Sequence, residues 1–379
     1  MSLNKLKIIF VVNSSWGAYN FRLSLAKFLK KNNFEIIFCI PFDRKYSEKL
    51  LSLFKCYDIS LNANSINPLL DIKLIFNLKK IYDIERPEIV CTFTSKANIY
   101  GALAAKYSNA KIISNITGLG SEFIKQSFVS SIMLQLYRIS MKYSSLIFFQ
   151  NQFDKRLFLD KKIADKSQAK LIPGSGVDIK KFKLSNKKES KKIVFLFIGR
   201  VLKDKGVNEL INAIKIVNNE INKEFVEFQV LGSVTSQNSS SINLSTVKKW
   251  SSMGLINYLG ESDEVISYIR KCDCIVLPSY REGMPRTILE GFAMGRPAIV
   301  SDVPGCNEIV DHGINGLICK PFSAVDLAEK IKTMFYLSEK ERITLGNNAR
   351  KKIEKSYNEV IVFKKYLSSI ERLVNEKAL

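Results

Sequence analysis

At 379 residues the chain is too long for one ordinary hydrophobic core, so two domains of under about two hundred residues each are expected. Apolar residues make up 46% and run throughout, so both domains can bury a core, and no uninterrupted apolar run is long enough to span a membrane. The formal charge of +22, from 58 Lys+Arg against 36 Asp+Glu, points to anionic partners: nucleic acid, an anionic membrane face or phosphorylated ligands.

The N-terminal "MSLNKLKIIFVVNSS" imitates a signal peptide, but its apolar core, residues 8–12, is too short for export and reads as a first buried strand. Further runs at 34–40, 56–59, 89–93, 111–114, 146–149 and 169–172 are rich in Ile, Val and Phe without polar alternation, which suits strands covered on both faces. Helix candidates lie between them, among them 20–31 and 71–82, and Pro87 marks the entry to the next strand. This is the rhythm of a doubly wound parallel sheet.

The lysine-rich "KKFKLSNKKESKK" (180–192) lacks an apolar period and reads as a linker. The rhythm restarts at 193–198, 226–231, 256–259, 274–277, 298–301 and 316–319, and three helical stretches follow at 324–336, 339–355 and 360–375. "SVTSQNSSS" (233–241) is a candidate mobile loop. The expected division is therefore a first domain over 1–178, a linker over 179–192 and a second domain over 193–355. A C-terminal helix over 356–379 closes the chain, its packing back on the first domain left open. Two doubly wound domains in tandem are expected to bind ligands at the carboxyl ends of their sheets.

Seven cysteines form an odd set without the spacing of a disulfide framework, and Cys272-Asp-Cys274 reads as part of a buried strand. With His312 as the only histidine, structural zinc is not expected and a reducing cytosol is.

Three stretches carry chemistry. "NSSWGAYNFRLSLAKFL" (13–29) reads as strand, turn at Gly17 and a helix beginning near Asn20, whose amino end suits an anion or a sugar hydroxyl. It is not G-x-G-x-x-G, which disfavours a nicotinamide or flavin dinucleotide. Gly17 is a donor-binding candidate and Tyr19 and Arg22 are acceptor-side candidates on this segment, Arg22 pointing either at the cleft or at solvent. "IGRVLKDKGV" (198–207) places Gly199, Arg200 and Lys205 after the second domain's first strand, where two cations can grip a diphosphate; the bland reading is two solvated surface cations. "CDCIVLPSYREGMPRTILEGFAMG" (272–295) reads as strand, loop and a helix stopped by Gly295. Loop amides and helix end at Gly283–Thr287 would meet a phosphate, with the Thr287 hydroxyl as a further donor. If the segment from Glu282 to Glu290 is helical, its eight residues rise about 12 Å, the reach of a nucleotide sugar from hexose to ribose.

Gly199, Arg200, Lys205 and Gly206, with "LPSYREGMPRTILEGFAMGRPAIVSDVPGCNEIV" and "NGLICKP", resemble the retaining GT-B glycosyltransferases of family 4. The resemblance is to the bacterial branch that extends polyprenol-diphosphate-linked glycans in capsule, O-antigen or glycoprotein glycan assembly. It is dense over 193–321 and looser over 5–177, including "PGSGVD" (173–178). It implies an α/β GT-B fold of two Rossmann-like domains and a nucleotide-diphosphate sugar donor, with UDP favoured by family habit. It implies that Arg200 and Lys205 bind the diphosphate, Glu282 contacts the donor hexose, residues Met284, Pro285, Arg286 and Thr287 contact sugar and phosphate, and Glu290 holds the ribose. No metal or other cofactor is expected, and no Asp-x-Asp occurs in the chain. Many relatives place a histidine where "CTFTSKANIYG" (91–101) has Ser95 followed by Lys96, so these two are the acceptor-side candidates there.

Retaining glycosidases set two carboxyl groups about 5 Å apart, and Glu282 with Glu290 does not suit that spacing. Front-face attack is expected instead, with the departing diphosphate as base and Glu282 orienting the sugar. "SEFIKQSFVSSIMLQLYRISMKYSSLIFF" (121–149), with Phe123, Phe128 and Met133 among Lys125, Arg138 and Lys142, reads either as a basic amphipathic helix on an anionic membrane or as a core helix with snorkelling cations. A peripheral enzyme on the cytoplasmic face of the membrane, acting on a polyprenol-diphosphate-linked saccharide, is the favoured reading. Two rivals are weaker. A nucleic-acid binder would concentrate its charge and interleave aromatics, whereas the lysines here are dispersed. A GT-B-like epimerase needs acid–base groups that one histidine and no matching carboxylate cluster do not supply.

Overall fold

The computed structural model describes residues 5–62, 67–120, 128–185, 191–234 and 240–376. They form two compact units, Met1–Ser175 with Val360–Leu379, and Gly176–Glu359. Each is a parallel α/β sheet, as the strand rhythm predicts.

The first unit's strands are β1 (Lys7–Val12), β2 (Glu35–Ile40), β3 (Lys55–Asp58), β4 (Ile89–Phe93), β5 (Lys111–Ile116), β6 (Leu146–Phe149) and β7 (Ala169–Leu171). They lie in the order β3-β2-β1-β4-β5-β6-β7. Ile8, Ile9, Phe10 and Val11 of β1 are fully buried, because helices cover both faces of the sheet. Those helices are α1 (Ser15–Phe21), α2 (Leu23–Lys31), α3 (Tyr46–Leu51), α4 (Pro68–Glu85), α5 (Ser95–Ala105), α6 (Phe128–Ser140) and α7 (Gln152–Asp160). At the amino ends of β1 and β3, Glu85 of α4 accepts hydrogen bonds from Lys7 Nζ at 3.0 Å, Lys55 Nζ at 2.5 Å and the Tyr57 hydroxyl. Burial alone would raise this carboxyl; the three donors outweigh it and hold it down at about 2.

The second unit's strands are β8 (Ile193–Ile198), β9 (Val226–Leu231), β10 (Asn257–Tyr258), β11 (Cys274–Leu277), β12 (Ala298–Ser301) and β13 (Gly316–Cys319), in the order β10-β9-β8-β11-β12-β13. Its helices are α8 (Val207–Glu220), α9 (Leu244–Ser252), α10 (Val265–Lys271), α11 (Arg286–Ala293), α12 (Ala324–Tyr336) and α13 (Glu339–Lys352). A last helix, α14 (Glu359–Asn375), belongs from Val360 onward to the first unit. Its Val362, Phe363, Tyr366, Ile370 and Leu373 join Phe10, Phe38, Phe93 and Phe148 in that unit's core. Each such burial contributes about 1.5–3 kcal/mol, and Asn115 Nδ2 donates to the Tyr366 hydroxyl at 2.8 Å. The tail is thus an integral layer of the first sheet.

Several local expectations are corrected. The helix over 20–31 is two helices broken at Arg22, and the first already starts at Ser15. Helix α4 runs longer than 71–82, because the Asn67 side chain caps it, Pro68 starts it, and Arg86 ends it in the left-handed region at φ 48°. The stretch 121–149 is not one helix: 128–140 is helical, 146–149 is a strand, and 121–127, with Phe123 and Lys125, lies outside the described residues. Phe182, inside the stretch read as a linker, is buried in the second unit's core, and 186–190 lie outside the described residues. The loop at 233–241 has 235–239 outside them. Cys272 caps α10 and only Cys274 enters the strand. All seven cysteines are unbridged.

Candidate active site

In an open parallel sheet, ligands bind outside the carboxyl ends of the strands where the strand order reverses. In the second unit that point lies between β8 and β11, which pair with Phe195 opposite Cys274 and Leu196 opposite Ile275. The loops leaving these two strands carry Gly199–Lys205 and Ser279–Thr287. Adjacency in the sheet therefore joins residues far apart in sequence.

Lys205 Nζ pairs with Glu282 Oε1 at 2.5 Å across 77 positions, and the Ser279 hydroxyl donates to the same oxygen at 2.7 Å. Both ion-pair partners are half-buried, 21% and 12% exposed, so solvent screens them little. The turn that presents Lys205 spans Lys203–Lys205 and ends at Gly206, whose φ of 70° favours glycine. A β-carbon on Gly206 would stand 2.0 Å from the Pro278 carbonyl oxygen, so glycine lets this turn lie against the end of β11. Tyr280 fastens the same junction: its N–H donates to the Asp204 carbonyl at 2.9 Å and its hydroxyl to Glu209 Oε2 at 2.7 Å. Gly206→Ala should cost more than the roughly 1–2 kcal/mol of the left-handed conformation, and a denaturant titration against the native chain measures it. A loss under 1 kcal/mol would show that the turn adapts freely.

Arg200 is exposed at the carboxyl end of β8, while the Gly199 N–H donates to the Leu231 carbonyl at 3.0 Å. On the other loop, Gly305 approaches the backbone so closely that a β-carbon there would lie 2.5 Å from the Gly283 oxygen and 2.9 Å from that of Glu282. This packing shapes the peptide that carries Glu282. Pro285 is the residue before α11 and its own side chain makes no capping hydrogen bond. The first amides of a helix have no partner within it, which at this end are those of Arg286 and Thr287. Met284 is partly buried against the core.

Glu282 precedes the helix, so the assumed helical rise of about 12 Å from Glu282 to Glu290 is corrected: only Arg286–Glu290 is helical. Glu290 is buried and accepts from Arg286 Nε at 2.9 Å. Its burial pushes the carboxyl up, with Arg286 and then Lys181 opposing. Arg286 and Glu290 stand four residues apart on one helix, a spacing that signals such a pair.

In the first unit the strand order reverses between β1 and β4. Gly17, read as a turn residue, is inside α1, and its N–H donates to the capping Ser14 Oγ at 3.0 Å. Tyr19 lies 5.6 Å from the Tyr46 ring, centre to centre. Arg22 does not reach out to solvent: it is 5% exposed and its guanidinium lies 4.2 Å from the Phe93 ring centre. Ser95 and Lys96 open α5, and Lys96 Nζ pairs with Asp71 Oδ1 at 2.6 Å. Among the described residues no group of three or more His, Cys, Asp or Glu is placed to hold a metal ion, and no helix is long and apolar enough to cross a membrane.

Sequence reasoning missed Ser279, Tyr280, Glu209 and Asp71. Ser279 lies three residues before Glu282, close enough to have been noticed; the others meet their partners only through the fold.

A family profile described as glycosyl transferases group 1 matches residues 178–352, and one described as glycosyl transferase 4-like matches residues 7–151. The chain is 30% identical to the Campylobacter jejuni N,N'-diacetylbacillosaminyl-diphospho-undecaprenol alpha-1,3-N-acetylgalactosaminyltransferase, over 97% of this chain and 99% of the relative. It is 25% identical to the Escherichia coli UDP-Gal:alpha-D-GlcNAc-diphosphoundecaprenol alpha-1,3-galactosyltransferase, over 89% of each. Anabaena HepE, solved in complex with UDP and glucose, aligns with a TM-score of 0.78 at 18% identity, over 97% of this chain and 99% of that one. At that identity the likeness speaks to the fold.

Proposed function

This chain belongs to the GT-B glycosyltransferases, and from that premise we propose that it moves a hexose or N-acetylhexosamine from a UDP-sugar to a hydroxyl of a polyprenol-diphosphate-linked saccharide, with retention at the anomeric carbon. The observation that carries the reading is the Lys205–Glu282 pair at the reversal between β8 and β11. It sets a cation beside a hydroxyl-accepting carboxylate on the loop that leads into the amino end of α11. The acceptor class follows from the Campylobacter relative, which is similar along nearly its whole length.

In this mechanism the donor diphosphate lies at the amino end of α11, near Arg200 and Lys205. Glu282 accepts hydroxyls of the hexose, and Glu290 those of the ribose. The acceptor oxygen attacks the anomeric carbon from the face that the diphosphate leaves. The carbon–oxygen bond to the diphosphate breaks, and the departing phosphate oxygen takes the acceptor's proton. Arg200, Lys205 and the helix end stabilise the charge that develops on it.

The test incubates the purified chain with UDP-, GDP- and ADP-sugars and undecaprenyl-diphosphate-linked N-acetylglucosamine or N,N'-diacetylbacillosamine. Transfer from a UDP-sugar with the product's anomeric configuration unchanged, read by NMR, is expected. Inversion refutes the front-face mechanism, and interconversion of the nucleotide sugar without transfer refutes the reaction class.

A lipid-linked acceptor also brings the enzyme to the cytoplasmic face of the membrane. Helix α6 exposes Phe128, Ile132 and Ile139, and the +22 charge favours anionic headgroups. Flotation with phosphatidylglycerol vesicles should capture the protein at low salt and release it at high salt. Equal flotation with neutral vesicles would remove the electrostatic part of this reading.

A further inference from the structure

Residues 178–185, nearly all inside the stretch read as a linker, are fastened to α11 and the turn after it, within the second unit. Asp178 Oδ1 accepts from the Lys180 and Lys181 N–H groups at 2.8 and 3.0 Å, and the Phe182 N–H donates to the Asp178 carbonyl at 2.9 Å. These bonds close a compact turn that buries Phe182 in the core. Arg350 Nη1 ties the turn to the helix, donating to the Phe182 carbonyl at 2.9 Å and to the Ala293 carbonyl at 2.6 Å. Further along, Arg296 Nη1 donates to the Ser185 carbonyl at 2.9 Å. A polar segment held at so many points fixes the place of Lys181, whose ammonium lies 5.6 Å from the Phe182 ring centre.

Glu290 stands less than one helical turn before Ala293, with its side chain 11% exposed and its Oε1 bonded by Arg286 Nε at 2.9 Å. A carboxylate so placed loses most of its hydration. Burial pushes it toward the neutral acid, and the Arg286 and then the Lys181 charge oppose that. The strands beneath, β11 and β12, bring no charged side chain. Arg350 pairs with Glu354 at 2.6 Å, and Asp178 is occupied by the amides of its turn. The cations that act on Glu290 are therefore one on its own helix and one on the fastened segment. A carboxylate has about four acceptor sites, and Arg286 takes one, so Glu290 keeps room for a pair of hydroxyls.

We propose that Arg286 and Lys181 are positioning residues for the nucleotide's ribose: Arg286 fixes one oxygen of Glu290, and both cations balance its buried charge while it accepts the ribose hydroxyls. The inference rests on the transferase reading above and deepens it. It takes the Arg286 side chain off the sugar and phosphate, where the resemblance places it, and gives the lysine-rich segment a task at the donor. A ribose diol offers two hydrogen-bond donors, and bonds to an ionised acid are roughly twice as strong as bonds to a neutral one. The neutral acid would also turn one of its acceptors into a donor.

The experiment measures binding of UDP and of 2',3'-dideoxy-UDP by calorimetry, between about pH 6 and 8, for the native chain, Arg286→Met, Arg286→Lys and Lys181→Met. The native chain should bind UDP about 10-fold tighter than the dideoxy nucleotide, the effect of bonds to a charged acceptor. Arg286→Met should lose about 10-fold for UDP and little for the dideoxy nucleotide. Relative to the native chain the loss should be largest at the acid end. Removing a cation pushes the buried acid further up, and a raised carboxyl loses its charge as pH falls. Lys181→Met should show the same pattern at about 3-fold, because its ammonium is exposed and screened. Arg286→Lys keeps the charge without the planar fork, so it should weaken UDP binding without the added pH dependence. Equal loss for both nucleotides in Arg286→Met would put the guanidinium on the phosphates and overturn the inference, as would a loss that does not change with pH. Should Arg286→Met fail to fold, Lys181→Met carries the test, and native-like UDP affinity at the acid end overturns the inference there. A native chain that binds both nucleotides alike takes Glu290 off the ribose, whereas one that binds neither strikes the transferase reading itself.

Discussion

Lys205→Ala should lower turnover by about 10²–10³-fold, the usual cost of removing one group that stabilises charge as it forms. Two functions are lost at once. The diphosphate loses a half-buried cation, and Glu282 loses the 2.5 Å partner that fixes its orientation, keeping only Ser279. Glu282→Gln isolates the second part: it keeps the side chain's shape and removes its charge. That variant should also lose orders of magnitude in turnover, with little change in UDP affinity, because Glu282 is assigned to the sugar. Lys205→Arg keeps the charge but replaces a compact ammonium with a planar fork, so only partial recovery is expected. Initial rates and a UDP titration for each variant decide the matter. Near-native turnover in Lys205→Ala or Glu282→Gln would remove the pair from the mechanism.

Glu85→Gln should destabilise the protein by about 2–3 kcal/mol at neutral pH, and the loss should vanish in acid. Glu85 titrates at about 2 in the fold against an ordinary 4.5. A depressed carboxyl stabilises above its unfolded pKa, and that contribution is lost as pH falls from about 4.5 toward 2. Full linkage would be somewhat larger, but Lys55 is 53% exposed and water screens its share. Denaturant midpoints from pH 7 to pH 2.5 should therefore draw together for native chain and variant, with about a quarter of the difference left at pH 2.5. Parallel curves would show that the three donors do not hold Glu85 ionised. The cluster lies at the amino ends of β1 and β3, away from the strand ends that carry the candidate chemistry, so turnover at neutral pH should be unaffected where the fold persists.

Several strands were legible to the residue. β4, β6, β8, β9, β11, β12 and β13 fall where apolar runs were read, because such runs readily leave water in an α/β layer, whereas β1, β2 and β5 differ by one or two residues at an end. Two edge strands were less legible: β3 begins one residue early and β10 keeps two residues, since these are only partly covered. The break between α1 and α2 was hidden: it falls at Arg22, which is buried with its guanidinium on the Phe93 ring, and charge is not expected to go inward. Phe182 was read with the lysines around it, although one large apolar side chain is enough to pin a polar segment to a core.

Residue types and their local spacing, by themselves, established two parallel α/β domains, the loops that follow their strands, and the family to which the chain belongs. Those properties are written in periods of a few residues. The tertiary structure alone decided that Lys205 meets Glu282, that Asp71 meets Lys96, and that the final helix completes the first sheet. Each depends on which strands lie side by side, and strand order is set by long-range packing that no local period encodes.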